Sequence, residues 1–393
     1  MNKLILVINA GSSSIKFKLF DAQKLNVIAS GLCERIFIDG VFSLKYGDKK
    51  IETKYPMPSH KEAIQCILDN LQQLKIVKNL KDIVGVGHRV VLAGEKVTKA
   101  IIMNKANIAL AAQYNALAPL HNPPELEVIK IMSKLIPNAI QVGSFDNMFH
   151  TTMPPENYLY PINQTIASKY KIRRYGAHGN SYRYINQKMQ KVLNNKKPNL
   201  IVCHLGNGAS MCAIKEGKSF ATTMGLTPLE GLIMGTRCGD VDPSIATYLA
   251  RCGFKTQQID DLFNKQSGME AITGSRDMRD VEKFCNAKQT KALIAMKMYT
   301  NAISKYILHY ANLLENKVDG IVFTAGVGEN SVFTVNTIIN NIKLINLSCD
   351  IKKLQTPYND YKLISTPKSQ FKIYCVRTDE ELMIVNDVLS FLK

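Results

Sequence analysis

The chain has 393 residues, of which 46% are hydrophobic and 21% are charged. This composition is typical of a packed globular protein and argues against a disordered or collagen-like chain, and the length predicts two domains. The 50 Lys and Arg residues exceed the 32 Asp and Glu residues, which gives a formal net charge of +18. Because no block of five residues is wholly basic, we expect no specific nucleic-acid partner.

The cysteines and the apolar segments bear on the location of the protein. Nine cysteines are scattered without a Cys-x-x-Cys pair, so we expect free thiols in a reducing cytoplasm and no disulfide framework. The apolar run at residues 4–8 is shorter than the apolar region of a signal peptide. No run of about 18 apolar residues occurs, so we expect no membrane span.

A strand–turn–strand pattern occurs twice in the chain. In residues 4–20 an apolar run leads through a turn of small and polar residues into an alternating segment, and residues 199–214 repeat this pattern. The repetition predicts a duplicated domain. The proline-containing segment 153–161 separates the two copies and predicts the position of the hinge.

Further strands and helices alternate along the chain. An apolar strand at residues 321–323 runs into a glycine-containing loop, and Ser331 is a plausible N-cap for a helix over residues 332–342. Helical spacing predicts other helices at residues 61–74, 104–116, 125–135, 290–314 and 380–392. Strands interleaved with helices indicate an α/β protein.

Three turns of small residues are candidates for binding phosphate. They are NAGSSSIK at residues 9–16, HLGNGAS at residues 204–210 and TAGVGENS at residues 324–331. Backbone N–H groups and hydroxyls in such turns donate to anions, although a serine-rich hairpin explains the first turn equally well. The third turn lacks the last glycine of a dinucleotide fingerprint, which disfavours NAD. Together the turns predict a nucleotide held between two domains, and hence a phosphotransferase.

Phosphoryl transfer requires positive side chains around the transferred group and a carboxylate that holds a metal ion. The sequence supplies suitable clusters at GHRV (87–90), LHNP (120–123), FDN (145–147), RRYGAHGN (173–180) and GTRCGD (235–240). Each cluster alone is compatible with a structural role, because most single Arg and His residues are not catalytic. Arg237 lies among glycines with few apolar neighbours and is therefore the least like a core residue.

Over essentially its whole length the chain resembles the acetokinase family, within the sugar kinase, Hsp70 and actin superfamily. The resemblance rests on ordered motifs: NAGSSSIK, GHRVV, LAPLHNP, RRYGAHG, HLGNGAS, TPLEGLIMGTRCGD, SRDMRD, VFTAGVGEN and TDEELMI. It implies two duplicated actin-like (ribonuclease H-like) domains, with mixed sheets flanked by helices and a central cleft. We expect an N-terminal domain of residues 1–150, joined by the C-terminal helix 380–393, and a nucleotide-binding domain of residues 151–379.

The resemblance implies reversible transfer of the ATP γ-phosphoryl group to acetate, which gives acetyl phosphate and ADP by direct in-line transfer. A carboxylate is already ionised at neutral pH, so this reaction needs no general base, and its barrier is charge repulsion and alignment. The resemblance also implies ATP or ADP as co-substrate, Mg²⁺ or Mn²⁺ as the metal, and a homodimer to which the helix at residues 290–314 could contribute.

Residue roles follow from the same resemblance. It assigns Arg89 to the carboxyl group of the substrate, and His178 and Arg237 to the phosphoryl group in the transition state. Asp146 fills the family's catalytic acid position, where it would orient an arginine or a metal-bound water. The metal site would comprise Asn9 and Glu380, whose oxygen ligands suit Mg²⁺. The acyl group would contact Val91, Leu120, Ala177 and Pro228. The nucleotide would contact Lys16, Gly206, Asn207, Gly208, Ala209, Ser210, Asp277, Met278, Arg279, Gly326, Val327, Gly328, Glu329 and Asn330.

The departures from the family pattern affect the choice of substrate. Ala177 stands where family members usually carry Phe, which enlarges the acyl pocket unless Met234 or another side chain refills it. Each further methylene buried contributes about 0.8 kcal/mol, so a propionate or butyrate kinase is the alternative. A nucleotide-hydrolysing switch protein of the same superfamily is a second alternative, but it would need no acyl site. The other departures are Leu92, Ala93, Asn147, Asn180 and Tyr182.

Overall fold

The computed structural model describes residues 3–119 and 121–392. The chain divides into two compact units: unit 1, which comprises the chain up to Thr151 and from Asp379 onward, and unit 2, which is Thr152–Thr378. Each unit contains a mixed sheet flanked by helices, so the predicted fold class is confirmed. Each also has its own apolar core.

Unit 1 contains the first sheet. Its strands are β1 Leu4–Ala10, β2 Ser14–Asp21, β3 Val27–Glu34, β4 Val41–Tyr46, β5 Lys49–Lys54, β6 Ile83–Val90, β7 Ile101–Ile102 and β8 Ile140–Phe145. Their order in the sheet is β5-β4-β3-β2-β1-β6-β8-β7. Strand β1 is almost wholly buried, which explains why its sequence is a continuous apolar run. The helices of this part are α1 His60–Gln73, α2 Lys105–Ala112 and α3 Asn122–Leu135.

Unit 2 contains the second sheet. Its strands are β9 Leu200–Leu205, β10 Ala209–Lys215, β11 Lys218–Thr222, β12 Gly320–Thr324, β13 Tyr361–Leu363 and β14 Ile373–Val376, in the order β11-β10-β9-β12-β14-β13. Its helices are α4 Pro155–Tyr158, α5 Gln164–Lys169, α6 Gly179–Val192, α7 Ser244–Arg251, α8 Thr256–Lys265, α9 Gly268–Thr273, α10 Met278–Asn286, α11 Thr290–Leu313, α12 Ala325–Asn330, α13 Val332–Asn341 and α14 Ile351–Gln355.

The two sheets share one arrangement of strands. β1 pairs antiparallel with β2 and parallel with β6, and β9 pairs antiparallel with β10 and parallel with β12. The turn after β1 carries NAGSSS, and the turn after β9 carries LGNGA. The two candidate phosphate turns therefore occupy equivalent places in the duplicated fold.

The last helix, α15 Glu380–Ser390, packs against β6 and β8 of unit 1. Two glycines of β6 permit this close packing. A Cβ atom added at Gly85 would lie 2.4 Å from Cγ1 of Val388, and one added at Gly87 would lie 2.4 Å from Cγ2 of Ile384. Since both distances are far below van der Waals contact, the glycines are required for α15 to lie where it does.

Two local predictions differ from the structure. Helix α2 ends at Ala112 instead of Ala116, because the next N–H groups bond to the third residue back, as from Tyr114 to Ala111. The turn TAGVGENS, predicted as a loop, winds into the short helix α12. Its first N–H, that of Ala325, donates to the carboxylate of Glu329 at 2.9 Å, and this contact satisfies a group that the helix leaves unpaired. Ser331 caps α13 as predicted.

Two further properties concern the chain as a whole. Throughout the described ranges, no helix is long and apolar enough to cross a membrane. All nine cysteines lie within these ranges, and each carries a free thiol.

Candidate active site

Arg89 in β6 and Asp146 after β8 form an ion pair within unit 1. Nη2 and Nε of Arg89 lie 2.6 Å and 3.1 Å from Oδ2 of Asp146. The Asp146 side chain is only 1% exposed. Burial alone would lower the pKa of Arg89, but the charges of Asp146 and Glu380 raise it above its usual value. Arg89 is therefore a permanently charged group in a fixed orientation.

Helix α15 brings Glu380 to Arg89. Val388 and Ile384 cover Gly85 and Gly87, and the next positions on these faces are Glu380 on the helix and Arg89 on the strand. Four helical residues rise about 6 Å and two strand residues about 6.6 Å, so the two series stay aligned. Burial raises the pKa of Glu380, an effect that the charge of Arg89 opposes.

Asn9 and Glu380 are suitable ligands for a divalent cation. Oδ1 of Asn9 accepts from Nη1 of Arg89 at 3.4 Å, so both residues lie beside the same guanidinium. Amide and carboxylate oxygens are hard ligands that fit Mg²⁺ or Mn²⁺. Among residues 3–119 and 121–392, no group of three or more His, Cys, Asp and Glu side chains could hold a metal ion. A cation here would therefore take its remaining ligands from water and phosphate.

Lys16 lies on the same face of the sheet as Asn9. The two residues are paired across β1 and β2, and both line a depression of about 280 Å³ that also includes Lys18 and Lys45. Lys18 pairs with Glu381 at 3.1 Å. The excess of ammonium groups on this face creates a positive field that attracts phosphate.

His178 is the N-cap residue of α6 and has left-handed backbone geometry, with φ 56°. Residues other than glycine rarely adopt this geometry, and they often do so at functional sites. Nδ1 of His178 lies 2.8 Å from Oγ of Ser210, and its ring stacks on that of His204 with centroids 4.1 Å apart. Because His204 and Ser210 are paired across β9 and β10, the sheet of unit 2 fixes the ring of His178.

Arg237 approaches the same turn as His178. Its Nη1 donates to the carbonyl oxygen of Pro228 at 2.6 Å. A Cβ atom added at Gly208 would lie 3.5 Å from both Nη2 of Arg237 and Nε2 of His178. Two nitrogen-bearing side chains therefore flank the turn between β9 and β10, where they could stabilise charge on a phosphoryl group.

A polar network anchors the irregular segment 223–243, which carries Arg237. The carboxylate of Glu230 accepts from Arg174 and from the hydroxyl of Tyr160. The same hydroxyl accepts from the N–H of Leu226 at 3.0 Å. Side-chain hydrogen bonds thus hold the backbone of this segment where regular secondary structure does not.

A second depression, of about 630 Å³, lies in unit 2 and has the size of a small-molecule site. It is lined by Gly206, Asn207, Arg276, Asp277, Met278, Arg279, Glu282, Gly326, Val327, Asn330 and Ser331. Most residues predicted to contact the nucleotide are therefore together. The lining does not include Lys16, Gly208, Ala209, Ser210, Gly328 or Glu329. Glu329 instead accepts from the N–H of Ala325 and, at 3.0 Å, from that of Thr378.

The residues assigned to the acyl group belong to both units. Val91 of unit 1 is buried. In unit 2, Ala177 is 4% exposed and belongs to the same apolar cluster as Met234, while Pro228 is half-buried. Leu120 lies outside the described residues.

Comparison with known proteins decides the family. The model of the acetokinase family matches residues 4–386. The chain belongs to the acetokinase family. It is 50% identical to the acetate kinase of Mycoplasma pneumoniae over 384 residues, which cover 98% of this chain and 97% of that protein. It is 48% identical to the acetate kinase of Mycoplasmoides gallisepticum, with complete coverage of both chains.

Solved structures of an acetate kinase and of a propionate kinase match the fold. The acetate kinase of Porphyromonas gingivalis superposes with a TM-score of 0.93 at 37% identity over 100% of both chains. A propionate kinase from Francisella tularensis superposes with the same TM-score and identity over 98% of both chains. The resemblance noted in the motifs is thus confirmed at the level of sequence and fold.

The sequence motifs do not predict the contacts of two polar residues of this acetokinase. The motif HLGNGAS drew attention to His204 only as part of a phosphate turn, whereas the structure stacks its ring on His178. Glu125 attracted no attention, yet it is 2% exposed. Its spacing on α3 from Asn122, Ile129 and Met132, all of which are buried, was the available signal that a carboxyl group faces the core.

Proposed function

We propose that this acetokinase transfers the γ-phosphoryl group of ATP reversibly to acetate, giving acetyl phosphate and ADP. The observation that carries the proposal is the Arg89 guanidinium, held by buried Asp146. An arginine fixed in this way offers a charged N–H donor to a carboxylate acceptor. A sugar hydroxyl acceptor would require a base, and acetate does not, because it is already ionised.

In unit 1, Arg89 binds the carboxylate of the substrate and Asp146 orients Arg89. Nη1 of Arg89 points to Asn9, away from Asp146, and is the part of the guanidinium available to the substrate. One acetate oxygen forms the new bond to the γ-phosphorus, and the bond from that phosphorus to the bridging oxygen of ADP breaks. Holding the two anions in line is the main task of these residues.

In unit 2, Arg237 and His178 stabilise the negative charge on the transferred phosphoryl group. Pro228 orients Arg237, and Ser210 and His204 orient His178. Because these contacts hold both side chains in place, little reorganisation is needed during the reaction, which is the condition under which electrostatic stabilisation is most effective.

We assign the nucleotide to the 630 Å³ depression of unit 2 and its phosphates to the turn between β9 and β10. Asn9 and Glu380 would hold the divalent cation, Mg²⁺ or Mn²⁺. When bound, the cation neutralises charge on the phosphate oxygens.

A propionate kinase is the second candidate function. Ala177 supports it, because the missing benzyl group leaves volume for a longer acyl chain, and one structural match is a propionate kinase. Met234, in the same apolar cluster, could fill that volume. The preference of the enzyme for acetate or propionate therefore depends on how the side chains pack around Ala177.

We further propose that the protein is a homodimer in the cytoplasm. Helix α11 exposes three large apolar side chains, those of Leu293, Ile294 and Met298, between 44% and 50%, and burial in a symmetric interface would stabilise them. The free thiols of all nine cysteines fit a reducing compartment.

The proposed transfer of the phosphoryl group to acetate is tested by steady-state kinetics with Mg²⁺ and ATP, in which hydroxylamine traps the acyl phosphate. Formate, acetate, propionate and butyrate are compared as substrates. We expect hydroxamate formation with acetate and little ADP release without a carboxylate. ADP release that does not depend on a carboxylate, with no hydroxamate, would support a nucleotide-hydrolysing switch protein instead.

A further inference from the structure

The segment after β6, residues 91–94, is buried but forms neither helix nor strand. Three side chains form hydrogen bonds with the backbone of this segment. The N–H of Val91 donates to Oε2 of Glu125 at 2.9 Å. Asn122 and Asn147 each use both ends of the side-chain amide, one accepting from an N–H and one donating to a carbonyl of the segment, at distances from 2.7 Å to 3.2 Å. The three side chains, which we call the polar clamp, are almost fully buried.

We propose that Glu125, as part of the polar clamp, fixes the backbone of Val91 and thereby sets the preference of this enzyme among short carboxylates. Glu125 is a positioning residue, since it acts through Val91. The inference rests on the proposed function, in which Val91 contacts the acyl group.

The burial of Glu125 argues for such a role. Its Oε1 atom is buried and has no hydrogen-bond partner in the described part of the chain. An unpaired buried oxygen destabilises a fold, so packing alone would favour an apolar residue at this position. The contact with Val91 is the polar contact that the structure gives this side chain, and holding that N–H is the function it can serve.

The other members of the polar clamp hold the residues that follow Val91. Asn122 bonds to both backbone groups of Leu92, and Asn147 joins the N–H of Ala93 to the carbonyl of Gly94. The backbone that carries Val91 is thus held at consecutive residues.

Burial favours the neutral form of the Glu125 carboxyl group. Burial raises its pKa to about 8, although the N–H of Val91 and the charge of Arg89 oppose this. A glutamine has the same shape and no charge, and its amide oxygen can accept from Val91. Aspartate is shorter by one methylene and alanine lacks the acceptor, so both would leave the Val91 N–H buried and unpaired.

Four variants test the proposal: Glu125→Gln, Glu125→Asp, Glu125→Ala and the control Glu127→Ala. Glu127 lies on the same helix but is exposed. For each protein, kcat and KM are measured with acetate and with propionate, together with KM for ATP and the melting temperature. We expect Glu125→Asp and Glu125→Ala to lower the acetate-to-propionate ratio of kcat/KM about fourfold or more, the effect of one methylene. The change should lie mainly in KM for the carboxylate, with KM for ATP unchanged.

Glu125→Gln and Glu127→Ala should keep the ratio within about twofold of the wild type. Should Glu125→Ala not fold, Glu125→Asp and Glu125→Gln still decide the question. A folded Glu125→Asp with an unchanged ratio, or a Glu125→Gln that behaves like Glu125→Asp, would overturn the inference. Wild-type protein that forms no acyl phosphate would overturn the proposed function itself, whereas an active wild type with unresponsive variants would overturn only the role of Glu125.

Discussion

The guanidinium of Arg89 is held by the carboxylate of Asp146, with Nη2 2.6 Å from Oδ2, and Asp146 is fully buried. The pair fixes the orientation of the one cationic side chain that β6 contributes beside Asn9 and Glu380. Breaking a buried pair leaves an uncompensated charge, so its two members depend on each other. The arginine that binds substrate in our proposal is therefore only as well placed as Asp146 allows.

Replacing Asp146 with Asn should reduce kcat/KM for acetate by about 100-fold, because Arg89 loses the charged partner that orients it and a misplacement of about 1 Å costs about that factor. Steady-state hydroxamate assays measure the effect. The matched control is Asp39→Asn, which breaks the exposed ion pair of Arg35 and Asp39 and should leave activity unchanged. Equal activities of the two variants would refute the orienting role of Asp146.

Replacing Arg237 with Ala should reduce kcat by about 10³-fold, since an arginine that stabilises the transferred phosphoryl group contributes several kcal/mol. The melting temperature should change little, because the side chain is half-exposed. Arg251→Ala, in the last turn of α7 and exposed, is the control. A higher KM for ATP with an unchanged kcat would instead mean that Arg237 contributes to binding of the nucleotide in the ground state.

Replacing Ala177 with Phe should favour acetate over longer acids. The larger side chain fills volume that propionate or butyrate would use, at about 0.8 kcal/mol for each methylene displaced. Ala177 is 4% exposed within the core of unit 2, so a phenylalanine that does not enter this volume would overpack the core and lower the melting temperature. Substrate ratios of kcat/KM for the variant and the wild type measure the effect. Identical ratios would mean that position 177 does not face the acyl chain.

The stability of the protein should fall as the pH drops below about 6.5, in part because of His88. Burial lowers the pKa of His88 to about 4, and its ring lies 2.8 Å from Oε1 of Gln141. Between the two pKa values the unfolded chain binds a proton that the folded chain does not, so the free energy of unfolding rises with pH in this window. The loss is at most about 1.4 kcal/mol for each pH unit.

Urea unfolding of wild type and His88→Gln at pH 7.5, 6.5 and 5.5 isolates the contribution of His88. As the pH falls, the free energy of unfolding should decrease more for the wild type than for His88→Gln. A difference that stays constant across this range would show that His88 does not titrate between the folded and unfolded states.

Local sequence patterns predict strands and helices well where one face of the element carries a clear apolar pattern. Helix α11 starts at Thr290 as predicted and ends within one residue of the prediction. The two glycine-containing turns were found because small residues follow apolar strands, and the sheet register places them equivalently. The predicted helix at residues 104–116 is too long, because the helical spacing of the sequence continues beyond Ala112 while the backbone changes there to hydrogen bonds with the third residue back.

Contacts between distant residues could not be predicted from local patterns. The pairing of Glu125 with the N–H of Val91 joins positions far apart in sequence, and no spacing rule indicates it. The alignment of Glu380 with Arg89 depends on how α15 seats on Gly85 and Gly87. The family motifs predict which residues form the site, and the fold supplies the geometry that relates them.

The central claim is that a carboxylate oxygen attacks the γ-phosphorus of ATP. The most direct test uses acetate labelled with ¹⁸O in both oxygens, with Mg²⁺ and ATP, and observes the products by ³¹P NMR. We predict acetyl phosphate whose phosphorus carries one ¹⁸O atom, formed in equal amount to ADP. Inorganic phosphate without ¹⁸O, formed together with ADP and in place of acetyl phosphate, would contradict the account, because water would then be the nucleophile.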